Sequence, residues 1–133
     1  MSLADIRAGM GANLGDIAGI RVYEEVPDSP ALPCAVIRLE RVTYDQAFQR
    51  GLTEYGFIVQ TVVTRATVQR AQRKLDLFID TGARSVKTAI ESDPTLGGAA
   101  FDVRVEEVRD INPVTIGGLE YLAVDFAVTV FAE

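Results

Sequence analysis

A lone cysteine, two lysines and three closely spaced sets of residues are where this chain could do chemistry. Cys34 would be a nucleophile if a base drew off its proton, but that base is usually imidazole, and the 133 residues contain no His. The same absence removes serine triads of the usual kind and His-containing metal sites. Cys34, the one Cys, forms no internal disulfide and reads as a small apolar residue at the start of a strand. Lys74 and Lys87, the only lysines, would be general bases only if buried, and each falls in an amphipathic pattern that leaves it wet. Glu24-Glu25 and Glu106-Glu107 are paired carboxylates, yet neighbours on a strand point to opposite faces and do not cooperate as acid and base. Gly9-x-Gly11-x-x-x-Gly15 has neither the spacing nor the preceding strand of a dinucleotide-binding turn. The expectation is no catalytic residue, no cofactor and no metal.

The elements that position these residues follow from hydrophobic periodicity. Leu3, Ile6, Met10 and Leu14 recur at helical steps, so a helix is predicted over residues 2–16, started by Ser2 with Asp5. Its glycines each cost about 1 kcal/mol against Ala, so packing on a sheet must hold it, and small residues there let another backbone approach closely. A strand is predicted from Ile20 to Val26, then a loop stiffened by Pro27, Pro30 and Pro33. Ala35 to Tyr44 and Leu52 to Thr64 are two long strands joined by a hairpin tip, Asp45 to Gly51, longer than the commonest turn. In residues 67–79, Val68, Ala71, Leu75, Phe78 and Ile79 define one helical face and Arg70, Arg73 and Lys74 another, with Thr67 as N-cap. A shorter helix runs from Ser85 to Ser92 and stops before Pro94. Two strands close the chain, Phe101 to Arg109 and Leu119 to Phe131, the latter alternating Leu122, Val124, Phe126, Val128 and Val130 with Tyr121, Ala123, Asp125, Ala127 and Thr129. The order α-β-β-β-α-α-β-β predicts one α+β domain over residues 1–133, a mostly antiparallel sheet with helices packed on one face.

Composition narrows the classes of function. A formal net charge of −6 and a pI near 4.7 disfavour nucleic acid as the main ligand, while 48% hydrophobic residues and a mean hydropathy of +0.16 exclude disorder and suggest surface shared with neighbours. No apolar run approaches a membrane span and no h-region opens the chain, so a cytoplasmic protein with no membrane partner is expected. Charge is segregated. Residues 65–90 carry six bases and two acids, net +4, whereas residues 91–133 carry two bases and nine acids, net −7. Arg65, Arg70, Arg73, Lys74, Arg84 and Lys87 thus form a basic helical region on an acidic body. It reads either as a solvated helix face or as a surface that docks on the acids of a neighbouring copy, with Glu106, Glu107 and Asp110 or Glu24 and Glu25 as donors.

The chain resembles the tail terminator (tail completion) proteins of bacteriophages with long non-contractile tails. The resemblance is carried by Gly19-Ile20-Arg21-Val22-Tyr23, Val26-Pro27-Asp28-Ser29-Pro30, Tyr44-Asp45-Gln46-Ala47-Phe48-Gln49-Arg50-Gly51-Leu52, Ala89 to Gly98, and Gly117-Gly118-Leu119-Glu120-Tyr121-Leu122 with the closing amphipathic strand. It spans essentially the whole sequence and rests on order and wording together, with no single diagnostic motif. It implies a structural virion protein: a homomeric ring, usually six-fold, that caps the tail tube, stops its polymerisation and joins the neck of the filled head. The implied partners are other copies of itself, the tail tube protein and the neck or head-tail connector protein, with DNA only passing through the lumen. The implied place is the tail-neck junction, after assembly in host cytoplasm. Interface residues are expected at the hairpin tip, Tyr44, Asp45, Gln46, Ala47, Phe48, Gln49 and Arg50, in the basic region at Arg70, Arg73 and Lys74, and at Glu106 and Glu107. A head-tail connector protein, the tail tube protein and, from another class, a small-ligand-binding α+β domain are the alternative readings.

Overall fold

A computed structural model describes residues 2–17, 19–25, 27, 31, 33–44, 52–64, 68–82, 84–116 and 119–132. Helix α1 spans Leu3–Leu14, with the Ser2 hydroxyl accepting the Asp5 N–H at 3.1 Å as the start signal requires. Strands β1 (Arg21–Tyr23), β2 (Cys34–Thr43) and β3 (Thr53–Thr64) follow, then helices α2 (Val68–Ile79) and α3 (Val86–Glu91), a short 3₁₀ turn (Leu96–Gly98), and strands β4 (Asp102–Ile116) and β5 (Leu119–Ala132). The five strands form one sheet in the order β1-β2-β3-β5-β4, antiparallel throughout except for the parallel pair β1 and β2. This is the α+β architecture, and the element order, that the periodicity predicts.

One core explains why the helices lie on a single face. Ile6, Met10 and Leu14 of α1, Ala71, Leu75 and Phe78 of α2 and Val86, Ala89 and Ile90 of α3 share a buried cluster with alternate residues of the strands. Those include Ile37 of β2, Phe57, Val59 and Val63 of β3, and Leu122, Val124, Phe126, Val128 and Val130 of β5. The period of two puts the intervening residues on the other face, where Cys34, Val36, Val62 and Ala123 form a second, smaller apolar cluster beside Tyr23 and Tyr121. Gly9 supplies the close approach its helix was expected to provide: a Cβ there would lie 2.4 Å from the Leu96 carbonyl oxygen.

Two expectations need correction. The first strand is only Arg21–Tyr23, so Glu24 and Glu25 lie in a bend beyond it and strand alternation does not govern them. The fourth strand does not end at Arg109 but continues to Ile116. Its register against β5 shifts between Val105 and Glu107 and again between Arg109 and Asn112, and Asp110 adopts a φ of 56°. Each bulge inserts residues that break the apolar-polar alternation by which a strand is recognised. Pro113 is tolerated because β4 is an edge strand. Glu106 is the residue the first bulge inserts, so the opposite-face argument for Glu106 and Glu107 does not hold, and both are exposed.

Candidate functional site

Three surfaces gather the polar residues that an acidic, apolar-leaning domain could use. The first is the outer face of α2. Because Ala71, Leu75 and Phe78 point into the core, Arg70, Gln72, Arg73, Lys74 and Leu77 are left exposed, and Arg73 and Lys74 make no ion pair among the described residues. Leu77, 49% exposed, places an apolar side chain beside these cations. The basic region is smaller than the sequence implies, since Lys87 is engaged by Glu91 at 2.6 Å and by the Val105 carbonyl oxygen at 3.4 Å. Arg84 is exposed, and Arg65 lies outside the described residues.

The second surface runs along β4. Glu106 is exposed and has no ion pair among the described residues, while Glu107 has a carboxylate oxygen 3.9 Å from Arg109 Nε. Ile111, 53% exposed in the second bulge, is an exposed large apolar side chain of this strand, as Leu77 is of α2. The basic and acidic sets thus sit on different elements of the same chain.

The third surface, on the helix-free face of the sheet, escapes sequence reasoning because its members come from four strands. Arg38 and Glu40 of β2, Arg109 and Asp110 of β4 and Asp125 of β5 line a depression of about 300 Å³ with Ile58. Arg38 lies 4.0 Å from Asp125, and Arg109 reaches Glu40 at 3.3 Å. Glu40 lies on the same face as Arg38 by strand alternation, at the point where the register between β2 and β3 shifts, between Leu39 and Arg41. Burial pushes the Asp125 carboxyl above its ordinary value, opposed by Arg38 and reinforced by Asp110. The pairs are half-exposed and contribute little to stability one by one. One signal was present in the sequence: Asp125 is a charged residue in the middle of a mostly apolar strand, whose other charged residue, Glu120, stands at its start.

The hairpin tip is represented by Tyr44, 73% exposed where β2 ends. Asp45, Gln46, Ala47, Phe48, Gln49, Arg50 and Gly51 lie outside the described residues. Cys34 is fully buried at the start of β2, and burial pushes its thiol up to about 11, the Val62 backbone hydrogen bond opposing only part of the rise. At neutral pH it is a protonated core residue and a poor nucleophile. Among the described residues no group of three or more acidic or Cys side chains is placed to hold a metal ion, and no helix is long and apolar enough to cross a membrane. No model of a known protein family matches the chain, and no curated protein matches it either.

Proposed function

We propose that this chain is a structural ring subunit of the tail-terminator kind, which caps a tail tube, ends its growth and presents a surface to the neck of the head. The observation that carries the reading is the pair of charged surfaces on one molecule, Arg73 and Lys74 on α2 and Glu106 with Glu107 on β4. A basic patch and an acidic patch on separate elements suit a heterologous contact, in which one surface of a copy meets a different surface of the next, and such contacts close into rings. Exposed Leu77 stands beside the cations of α2, and exposed Ile111 lies further along β4 from its acids, so each charged element also offers an apolar side chain to a partner. The wording of the sequence favours the tail-terminator family over other ring formers, and the net charge of −6 suits a lumen through which DNA slides without sticking.

Negative-stain microscopy of the purified protein, with its mass in solution by light scattering, tests this reading. Discrete single rings are the expected result. Long tubes would instead assign the chain to the tail tube, and a monomer at every concentration, with a small molecule bound on the sheet face, would favour the ligand-binding alternative.

A further inference from the structure

The last strand of the sheet, β4, has no strand on its outer side among the described residues, a position that ordinarily leaves backbone groups open to a partner. At Val105, two side chains of α3 stand where that partner would be. The Val105 N–H donates to Glu91 Oε2 at 2.8 Å, and Lys87 Nζ donates to the Val105 carbonyl oxygen at 3.4 Å. Lys87 and Glu91 also bond to each other at 2.6 Å, four residues apart on one helical face. One ion pair thereby answers both main-chain groups of one edge residue. Further along, the second bulge and Pro113, which has no N–H, interrupt the same edge. The opposite side of the sheet is finished in the same manner: β1 pairs only with Cys34 to Val36 of β2, and beyond it Arg7 of α1 donates to the Ile37 carbonyl oxygen at 3.4 Å and to that of Glu24 at 2.9 Å.

We infer that the Lys87–Glu91 pair is an edge guard, which denies β4 to an exposed strand of a second copy of this chain. The occupant it excludes is another copy, because the same open edge, turned by a two-fold axis, is an antiparallel partner for itself. With the guard in place, copies meet through side-chain surfaces and the sheet does not extend from one to the next. The inference does not depend on the ring reading, since it concerns only which edge a second copy is refused. As an ion pair this half-exposed contact contributes little stability, so its removal should leave the fold intact.

The test compares Glu91→Ala with Glu91→Gln and the parent by amide hydrogen exchange and by mass in solution over a range of concentrations. In dilute Glu91→Ala the Val105 amide should exchange about tenfold faster, as expected for loss of a charge-assisted hydrogen bond. At high concentration the variant should form species larger than the parent's, with exchange over residues 103–107 slowed again. Glu91→Gln, which keeps an acceptor oxygen, should follow the parent. Unchanged Val105 exchange in Glu91→Ala, absence of larger species at every concentration, or larger species without renewed protection at 103–107 would each overturn the inference. Should Glu91→Ala lose its circular dichroism spectrum, Lys87→Ala decides the matter by its mass in solution, since the bond it removes is accepted by the Val105 carbonyl oxygen and protects no amide: species larger than the parent's at high concentration are expected, and their absence would overturn the inference.

Discussion

Asn13 lies on the inward side of α1, and its amide nitrogen donates to the carbonyl oxygen of Ile90 at 2.9 Å, which the end of α3 leaves without a helical partner, and to that of Asp93 at 3.1 Å, which also accepts the Leu96 N–H at 3.0 Å. Replacing it by Ala leaves the Ile90 acceptor unpaired in a buried place, so Asn13→Ala should lower stability by about 1–3 kcal/mol in urea unfolding. Nothing in the sequence marks Asn13, a polar residue among glycines, because its partners are far away in the chain. Two carboxylates give opposite pH signatures. Asp125 is raised above 3.8 chiefly by desolvation, so its ionisation penalises the folded state: the parent loses this stability as pH rises from about 3.8 through the raised value. Asp125→Asn should therefore be the more stable protein at neutral pH, with the difference vanishing near pH 3. Asp93 is lowered below 3.8, first by the Thr95 hydroxyl and then by the Gly97 N–H, so its contribution is present above 3.8 and lost as pH falls through the lowered value. Asp93→Asn should be less stable than the parent at neutral pH and equal to it in strong acid. Unfolding midpoints of both variants measured across pH 2–7 check the two signs.

At the scale of elements, the glycines of α1 separate propensity from packing. Ala gains about 1 kcal/mol over Gly inside a helix, so both Gly9→Ala and Gly11→Ala would stabilise if propensity decided. At Gly9 the new methyl would meet the Leu96 backbone carbonyl at 2.4 Å, and moving backbone should cost more than the gain, for a net loss of about 1–2 kcal/mol. At Gly11 the nearest atoms, at 3.1 Å, belong to the flexible Glu24 side chain, so this variant should be neutral or more stable. Thermal unfolding of the pair decides between the effects. The helices were legible because their apolar spacing and their Ser2 and Ser85 caps agree with their burial. The far half of β4 was not, because the residues inserted by two bulges hide its alternation and Pro113 argues against a strand unless its edge position is known. Strand β1 is shorter than the predicted Ile20 to Val26 because its pairing with β2 ends at Tyr23 and Val36, and where pairing stops is not written in the local pattern.

For the molecule as a whole, the basic face of α2 was visible in the helical spacing of Arg70, Arg73 and Lys74, whereas the ion-paired depression on the helix-free face was not, because Arg38, Arg109 and Asp125 come together only through sheet register. In the proposed ring, α2 of one copy meets the β4 acids of the next. Reversing Arg73 and Lys74 to Glu, or Glu106 and Glu107 to Lys, changes exposed side chains and should move folding stability by no more than about 0.5 kcal/mol. Each reversal alone sets like charge against like across a heterologous contact and should weaken assembly most at low salt, where screening is least. The most direct measurement is the mass in solution at low salt of the parent, of each reversal, and of one chain carrying both. Ring-sized species are expected for the parent, smaller species for each reversal, and ring-sized species again for the combined chain, whose exchanged charges are complementary once more. A combined chain as dissociated as either reversal, or reversals that leave the mass unchanged, would contradict this contact.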